Sequence, residues 1–168
     1  MSNKRQVHIR SNVESYDDPY ISDESLQENT ICKRCGAIYI ADRWYLKDQL
    51  PADKIPKGKA HESLCPACRK QRDRVPGGVL RLTGNFLSTH KDELMNLIRN
   101  ESNKAQEVNP LERIMDMQFV GSDLEITTTN EKLTQRIGKA IHKAYDGTIE
   151  YKFSEDNKLA RVNWHREV

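Results

Sequence analysis

The chain has 168 residues, enough for one ordinary domain or for a small metal-stabilised module beside a domain of about 80 to 100 residues. Charged residues make up 31% of it, the mean hydropathy is −0.81, and no apolar run approaches the roughly 20 residues of a membrane span, which excludes an integral membrane protein. The first residues contain no apolar segment of the kind found in a secretory signal, so we expect a cytoplasmic protein whose cysteines stay reduced.

Charge is unevenly distributed along the chain. Residues 1–30 are polar and acidic without hydrophobic periodicity, which predicts a disordered N-terminal tail. Residues 32–81 hold twelve Lys and Arg against five Asp and Glu. Four zinc-bound thiolates and Zn²⁺ together contribute about −2, so the segment stays strongly positive when it holds the metal. Such a field attracts polyanions, although ordinary solubilising charge would give the same count.

Two Cys-x-x-Cys pairs, Cys32 with Cys35 and Cys65 with Cys68, form the most specific motif. A two-residue spacing lets one tight turn direct both sulfurs at a single ion, and two such turns complete a tetrahedral shell without an open position. This pattern is typical of a structural site and predicts one structural Zn²⁺. The alternatives are a redox-active pair, an iron–sulfur cluster and unliganded core cysteines. The predicted module spans residues 31–78, as a zinc ribbon or a treble-clef-like unit, and ends at the turn residues 75–78.

Beyond this turn the pattern predicts an α+β domain, residues 79–168. Apolar residues at helical spacing indicate a helix from about residue 85 to 108, which ends at Asn109-Pro110 because proline disfavours helical backbone before it. Alternation predicts strands at 112–120, 123–129, 148–153 and 159–165. Thr128 and Glu131 match a capping box ahead of an amphipathic helix. The order α-β-β-α-β-β predicts an antiparallel sheet with helices on one face.

Basic and aromatic residues are interleaved around the cysteine pairs. Cations follow a phosphate backbone and exposed aromatic rings stack on unpaired bases, so this mixture favours RNA binding. The alternative is that Tyr39 and Trp44 form a small core and that residues 69–74 are a solvated helical face. One further candidate, Lys139, lies on the polar side of the second helix of the α+β domain. The candidate contacts are Arg34, Arg43, Trp44, Arg69, Lys70, Arg72 and Lys139.

The sequence contains no catalytic motif of the zinc-protease, P-loop, dinucleotide-binding or serine-hydrolase type, and no small-molecule substrate is evident. One weak enzymatic alternative is a divalent-metal site made by His90, Asp92 and Glu93 with Glu101 or Asp116. We therefore expect a protein that is not an enzyme.

Several motifs together carry a resemblance to known proteins; they are Cys32 to Tyr39, Arg43-Trp44, Cys65 to Arg69, Pro76 to Phe86, Asn109 to Met115 and Thr128 to Tyr145. In these motifs the chain resembles a small bacterial family that combines a paired Cys-x-x-Cys module with a C-terminal α+β domain. More distantly, it is similar to the cysteine-rich half of the archaeal and eukaryotic large-ribosomal-subunit export adaptor, which carries more cysteines and a longer chain. The closer resemblance implies no particular activity, and the distant one implies ribosome binding.

The leading hypothesis is thus a non-enzymatic, zinc-stabilised protein that binds RNA or associates with the ribosome. The alternative is a protein-interaction adaptor or a regulator, of transcription or of another process. In that case the zinc module and the acidic tail would contact a protein partner, and the basic residues would serve solubility.

Overall fold

A computed structural model describes residues 26–156 and 159–168 of the chain. Most of the predicted disordered tail, residues 1–25, lies outside the described residues. The described part of the tail is ordered: Leu26 packs against the core of the cysteine-bearing module, and the first strand begins at Thr30. The module therefore begins before residue 31, its predicted first residue.

The cysteine-bearing module is a small four-stranded sheet followed by one helix. The elements are β1 (Thr30–Cys32), β2 (Ile38–Ile40), β3 (Arg43–Tyr45), β4 (Glu62–Ser63) and α1 (Pro66–Asp73). Strand β1 pairs antiparallel with β2 and parallel with β4, in the order β3-β2-β1-β4. Two short 3₁₀ helices, Lys47–Gln49 and Ala52–Lys54, lie between β3 and β4.

The second part is a five-stranded sheet with two long helices, which confirms the α+β class. The elements are β5 (Gly78–Thr83), α2 (Phe86–Val108), β6 (Ile114–Val120), β7 (Asp123–Thr128), α3 (Glu131–Tyr145), β8 (Thr148–Ser154) and β9 (Leu159–His165). The strand order is β6-β7-β5-β9-β8. Two expectations were wrong: β5 was not predicted, and the sheet is mixed instead of antiparallel. The reason is that β5 lies in the centre, antiparallel to β7 and parallel to β9.

Gly77 and Gly78 lie at the start of this central strand. Both positions require glycine because other segments approach their backbone closely. A Cβ on Gly78 would lie 1.8 Å from Oγ1 of Thr134, and one on Gly77 would lie 2.5 Å from the carbonyl oxygen of Thr129. Both distances are far below van der Waals contact, so only glycine fits. Gly78 thus begins a strand, whereas the sequence pattern had indicated only the turn that ends the module.

Both long helices pack on one face of the sheet. Leu80 and Leu82 of β5 are buried in the core, while Arg81 between them is exposed, as expected for a strand with one covered face. The cap of α3 differs from the prediction: Asn130, not Thr128, accepts the hydrogen bond from the backbone N–H of Leu133. Within the described ranges, no helix has the length and apolarity needed to cross a membrane.

Candidate metal centre and basic surface

The four cysteines come from two different local structures. Cys32 ends β1 and Cys35 lies in the turn that follows, where Gly36 has a φ of 77° that suits glycine. Cys65 is the N-cap of α1, and Cys68 lies in its first turn. Of the two folds considered for the module, this arrangement is the treble-clef-like one, since a helix supplies the second pair of ligands.

The four sulfurs have the spacing of a metal shell. All four Sγ atoms lie within 4.8 Å of one another, and those of Cys35 and Cys65 are 3.8 Å apart. A tetrahedral shell with metal–sulfur bonds of about 2.3 Å requires sulfur–sulfur distances of about 3.8 Å. None of the four forms a disulfide. The cysteines can therefore hold one metal ion.

Backbone amides orient the sulfurs of Cys32 and Cys65. The N–H of Cys65 donates to Sγ of Cys32 at 3.3 Å, and the N–H of Cys68 donates to Sγ of Cys65 at 3.4 Å. A hydrogen bond from the Cys65 thiol lowers the pKa of Cys35 to about 4, and the N–H of Ala37 and a neighbouring arginine add to the effect against burial. The same shared proton, together with burial, raises the pKa of Cys65. The pKa of Cys35 is therefore lower than that of Cys65.

Arg113 is a residue of this centre that the sequence did not indicate. Its guanidinium donates to Sγ of Cys35 at 3.1 Å, to Sγ of Cys68 at 3.3 Å and, at 3.7 Å, to Sγ of Cys65. Burial disfavours the charged guanidinium, but the bonds and attraction to the thiols outweigh it and raise the pKa of Arg113. Because 45 residues separate Arg113 from Cys68, no local spacing signals the contact.

The module is fixed to the α+β domain around Thr129. The Lys70 ammonium on α1 donates to the carbonyl oxygen of Thr129 at 2.9 Å. The backbone N–H of Arg113 donates to Oγ1 of Thr129 at 2.9 Å, and this hydroxyl donates in turn to the carbonyl oxygen of Leu111 at 2.5 Å. Thr129 therefore contacts both the segment that contains Arg113 and the helix that contains Cys68.

A second contact joins the module to the end of α2. The Arg43 guanidinium donates to the carbonyl oxygen of Val108 at 2.9 Å, and the Gln49 side chain donates to the carbonyl of Glu107. Cations near the last carbonyls of a helix are favourable because these groups lack partners within the helix. Arg43 is exposed and also lies over the ring of Tyr45, at 5.4 Å, so it has a structural role.

Two of the predicted nucleic-acid contacts were wrong. Trp44 retains only 5% of its accessible surface and packs with Tyr39 in the core of the module, so it cannot stack on a base. Lys70 retains 9%, and its ammonium is bound to Thr129 instead of facing solvent. A module this small must use its large apolar rings for its own core, which is the alternative that the sequence had left open. Arg72 pairs with Asp73 at 2.7 Å.

Two segments with basic residues meet at Ser63, close to the four cysteines in the chain. The backbone N–H of Lys33 donates to the carbonyl oxygen of Ser63 at 3.0 Å, and the Arg69 guanidinium donates to Oγ of Ser63 at 3.2 Å. Arg34 follows Lys33 in the same exposed turn. None of these three cations forms a salt bridge with a carboxylate of residues 26–156 or 159–168. We call Lys33, Arg34 and Arg69 the Ser63 patch; Lys33 was not among the predicted contacts.

The weaker candidate sites are not assembled. Among the described residues, the four cysteines are the one group of His, Cys, Asp or Glu side chains with the spacing of a metal site. His90 instead stacks on Phe86 with ring centroids 3.8 Å apart, while Asp92 and Glu93 are exposed. Lys139 is exposed on α3, as predicted.

No family model, curated protein or solved structure matches this chain. The fold and the site define a Cys₄ module that could hold one metal ion, joined to an α+β domain through hydrogen bonds of Arg113, Lys70 and Arg43. The resemblances to the bacterial family and to the ribosomal export adaptor stay predictions.

Proposed function

We propose that this chain is a non-enzymatic, zinc-stabilised protein that binds the phosphate backbone of structured RNA through the Ser63 patch, in association with the ribosome. Four thiolates in tetrahedral spacing suit Zn²⁺, and a shell closed by four protein ligands favours a structural role. The zinc ion would hold the turn that bears Lys33 and Arg34 against the helix that bears Arg69.

The observation that carries the proposal is the composition and anchoring of the Ser63 patch. Two of its residues lie in a tight turn fixed by metal ligands, and the third is held by a hydrogen bond to Ser63 at 3.2 Å. The Arg69 guanidinium, held in this way, loses less freedom on binding a phosphate than a mobile side chain would. The surrounding module adds exposed lysines that strengthen the field; they are Lys47, Lys54, Lys57 and Lys59.

The burial of the aromatic rings favours one class of RNA. Trp44 and Tyr39 form the module core, so neither ring supports stacking on unpaired bases. Proteins that bind double-helical RNA read mainly its shape, its phosphates and its 2′-hydroxyls, without base stacking. Helical segments of a large folded RNA, such as that of a ribosome, therefore fit this surface better than single strands do.

The test is RNA affinity as a function of salt, measured with a hairpin duplex and a single strand of equal length. We expect the duplex to bind more tightly, with a steep fall of affinity as salt rises. Replacing Lys33, Arg34 and Arg69 together by alanine should reduce the slope of log affinity against log salt by up to about three, one for each cation that no longer neutralises a phosphate. A flat slope for the unmodified protein would refute RNA binding and leave the adaptor hypothesis.

The matched control is the triple alanine variant of Arg99, Lys132 and Lys143, which are exposed on the two long helices and are not candidate contacts. It changes the net charge by the same amount at a different place. An equal loss in this control would show that the Ser63 patch is not the contact surface. Elemental analysis of purified protein tests the metal separately, and less than about one zinc per chain would refute the zinc assignment.

A further inference from the structure

The two edges of the five-stranded sheet differ in regularity. On β6 the pairing with β7 is interrupted by a bulge between Ile114 and Asp116. On β8 the pairing with β9 is continuous from Thr148 to Ser154, the whole length of the strand. Bulges prevent an edge strand from pairing with another chain, whereas a regular edge presents a row of unpaired backbone groups. Of these two strands, only β8 is therefore regularly paired over its whole length.

On the edge strand β8, the positive charge of Lys152 has no acidic residue opposite it on the neighbouring strand β9. Glu150 and Lys152 lie on the same face, with side chains 59% and 61% exposed. Lys152 lies directly opposite Arg161 of β9, a pairing of like charges that destabilises a sheet. Its acidic neighbour is Glu150 of its own strand, at 3.7 Å. An acidic residue on the open side of β8 would offset this repulsion.

We propose that two copies of this chain associate through β8, antiparallel about a two-fold axis at Tyr151, to form one continuous sheet. In this register Glu150 of each copy lies opposite Lys152 of the other. Each Lys152 is then placed between Arg161 of its own chain and an acid of the second copy. The contact is self-complementary, as a two-fold symmetric interface requires.

Neighbouring registers are excluded by charge or by the alternation of faces. An axis at Glu150 would place the two copies of that acid opposite each other, and an axis at Lys152 would oppose the two lysines. A slip by a single residue would turn the polar face of one copy to the side of the other's helices. The register centred on Tyr151 also aligns apolar residues on the helix-covered face, where Ile149 faces Phe153, whose side chain is 39% exposed.

The experiment compares charge variants of the full-length, metal-loaded, nuclease-treated protein by sedimentation or light scattering. The mass of the unmodified protein should rise with concentration from 19.5 kDa toward twice that value. Lys152→Glu opposes acids to acids and Glu150→Lys opposes bases to bases, so each variant alone should associate at least about tenfold more weakly. An equimolar mixture of the two variants should recover association, because every acid then faces a base.

Folding is controlled within the same design. Lys152→Glu removes the repulsion with Arg161, so at concentrations where both proteins are monomeric its thermal unfolding should not occur at a lower temperature than that of the unmodified protein. Lys132→Glu on α3 makes the same charge change away from β8 and should leave association unchanged. The proposal is overturned if the unmodified protein stays monomeric up to about 1 mM, if Lys152→Glu associates normally, or if the mixture does not recover. None of these results bears on RNA binding, which uses other residues.

Discussion

Replacing Arg113 by alanine should weaken metal binding without removing any ligand. The guanidinium bonds three of the four thiols, and four thiolates with a divalent cation carry a net charge of about −2. Arg113 supplies one compensating positive charge from a different part of the chain. The alanine variant leaves this excess negative charge less well compensated, so the metal-bound state loses more stability than the metal-free state.

The magnitude follows from the hydrogen bonds that the substitution removes. Hydrogen bonds to charged groups contribute about 1.5–3 kcal/mol each, and two of the three bonds are shorter than 3.5 Å. Cys35 is exposed, so water can replace the hydrogen bond that Arg113 donates to it. The net loss of binding free energy is therefore smaller than the sum of the separate hydrogen-bond contributions. Residues that support metal ligands typically change metal affinity by about 10- to 100-fold, which is about 1.4–2.8 kcal/mol. We expect Arg113→Ala to fall in this range.

The assay is competition with a chromophoric chelator at fixed pH and ionic strength. Arg69→Ala is the matched control, because Arg69 donates to Ser63 Oγ beside the centre. Arg113→Lys keeps the charge but lacks the planar guanidinium, so its metal affinity should lie between those of the unmodified protein and Arg113→Ala. The reasoning is refuted if Arg113→Ala binds the metal within about twofold of the unmodified protein, or if Arg69→Ala loses as much affinity.

Three further predictions concern stability and pH. Lys70→Met should lower the free energy of unfolding by about 1–3 kcal/mol, because the buried carbonyl of Thr129 loses its donor. Urea denaturation measures this free energy, and an unchanged midpoint would contradict the prediction. Gly78→Ala should destabilise by at least about 1–3 kcal/mol, since its Cβ would overlap Thr134, and a Tm equal to that of the unmodified protein would count against the close approach. Burial, then hydrogen bonding to a neighbouring carboxylate, raises the pKa of Tyr39 above 10.0. The folded state therefore holds this phenol proton more tightly than the unfolded state, and the resulting stability is complete below pH 10 and lost as the pH rises through the folded pKa. The difference in phenolate absorbance between the unmodified protein and Tyr39→Phe should develop above pH 10, and a midpoint at or below 10 would exclude this environment.

Features with a local cause were predictable from the sequence. The four cysteines were found because a two-residue spacing is a direct geometric requirement of a shared ion. Helix α2 and strand β9 were located closely because periodic burial and turn residues are written in consecutive positions. The α+β class followed from the order of these elements.

Features that depend on remote atoms were not predictable in the same way. The strand β5 was missed because Gly77 and Gly78 resemble a turn unless the position of Thr134 is known. Lys70 was expected at the surface because its acceptor, Thr129, lies 59 residues away. Arg113 gave no signal because the charge it neutralises exists only once the cysteines have come together.

The parallel pairing of β5 with β9 has a consequence for synthesis of the chain. Thr83 and His165, which end this pairing, are 82 residues apart, so the central strand emerges from the ribosome well before one of its two neighbours. At translation rates of about 5–20 residues per second, this interval lasts about 4–16 s. During this interval, the edge of β5 that will pair with β9 is open and the apolar face of α2 is only partly covered. The Cys₄ module has by then been synthesised and can bind a metal ion. Vectorial synthesis thus favours metal loading before the sheet closes.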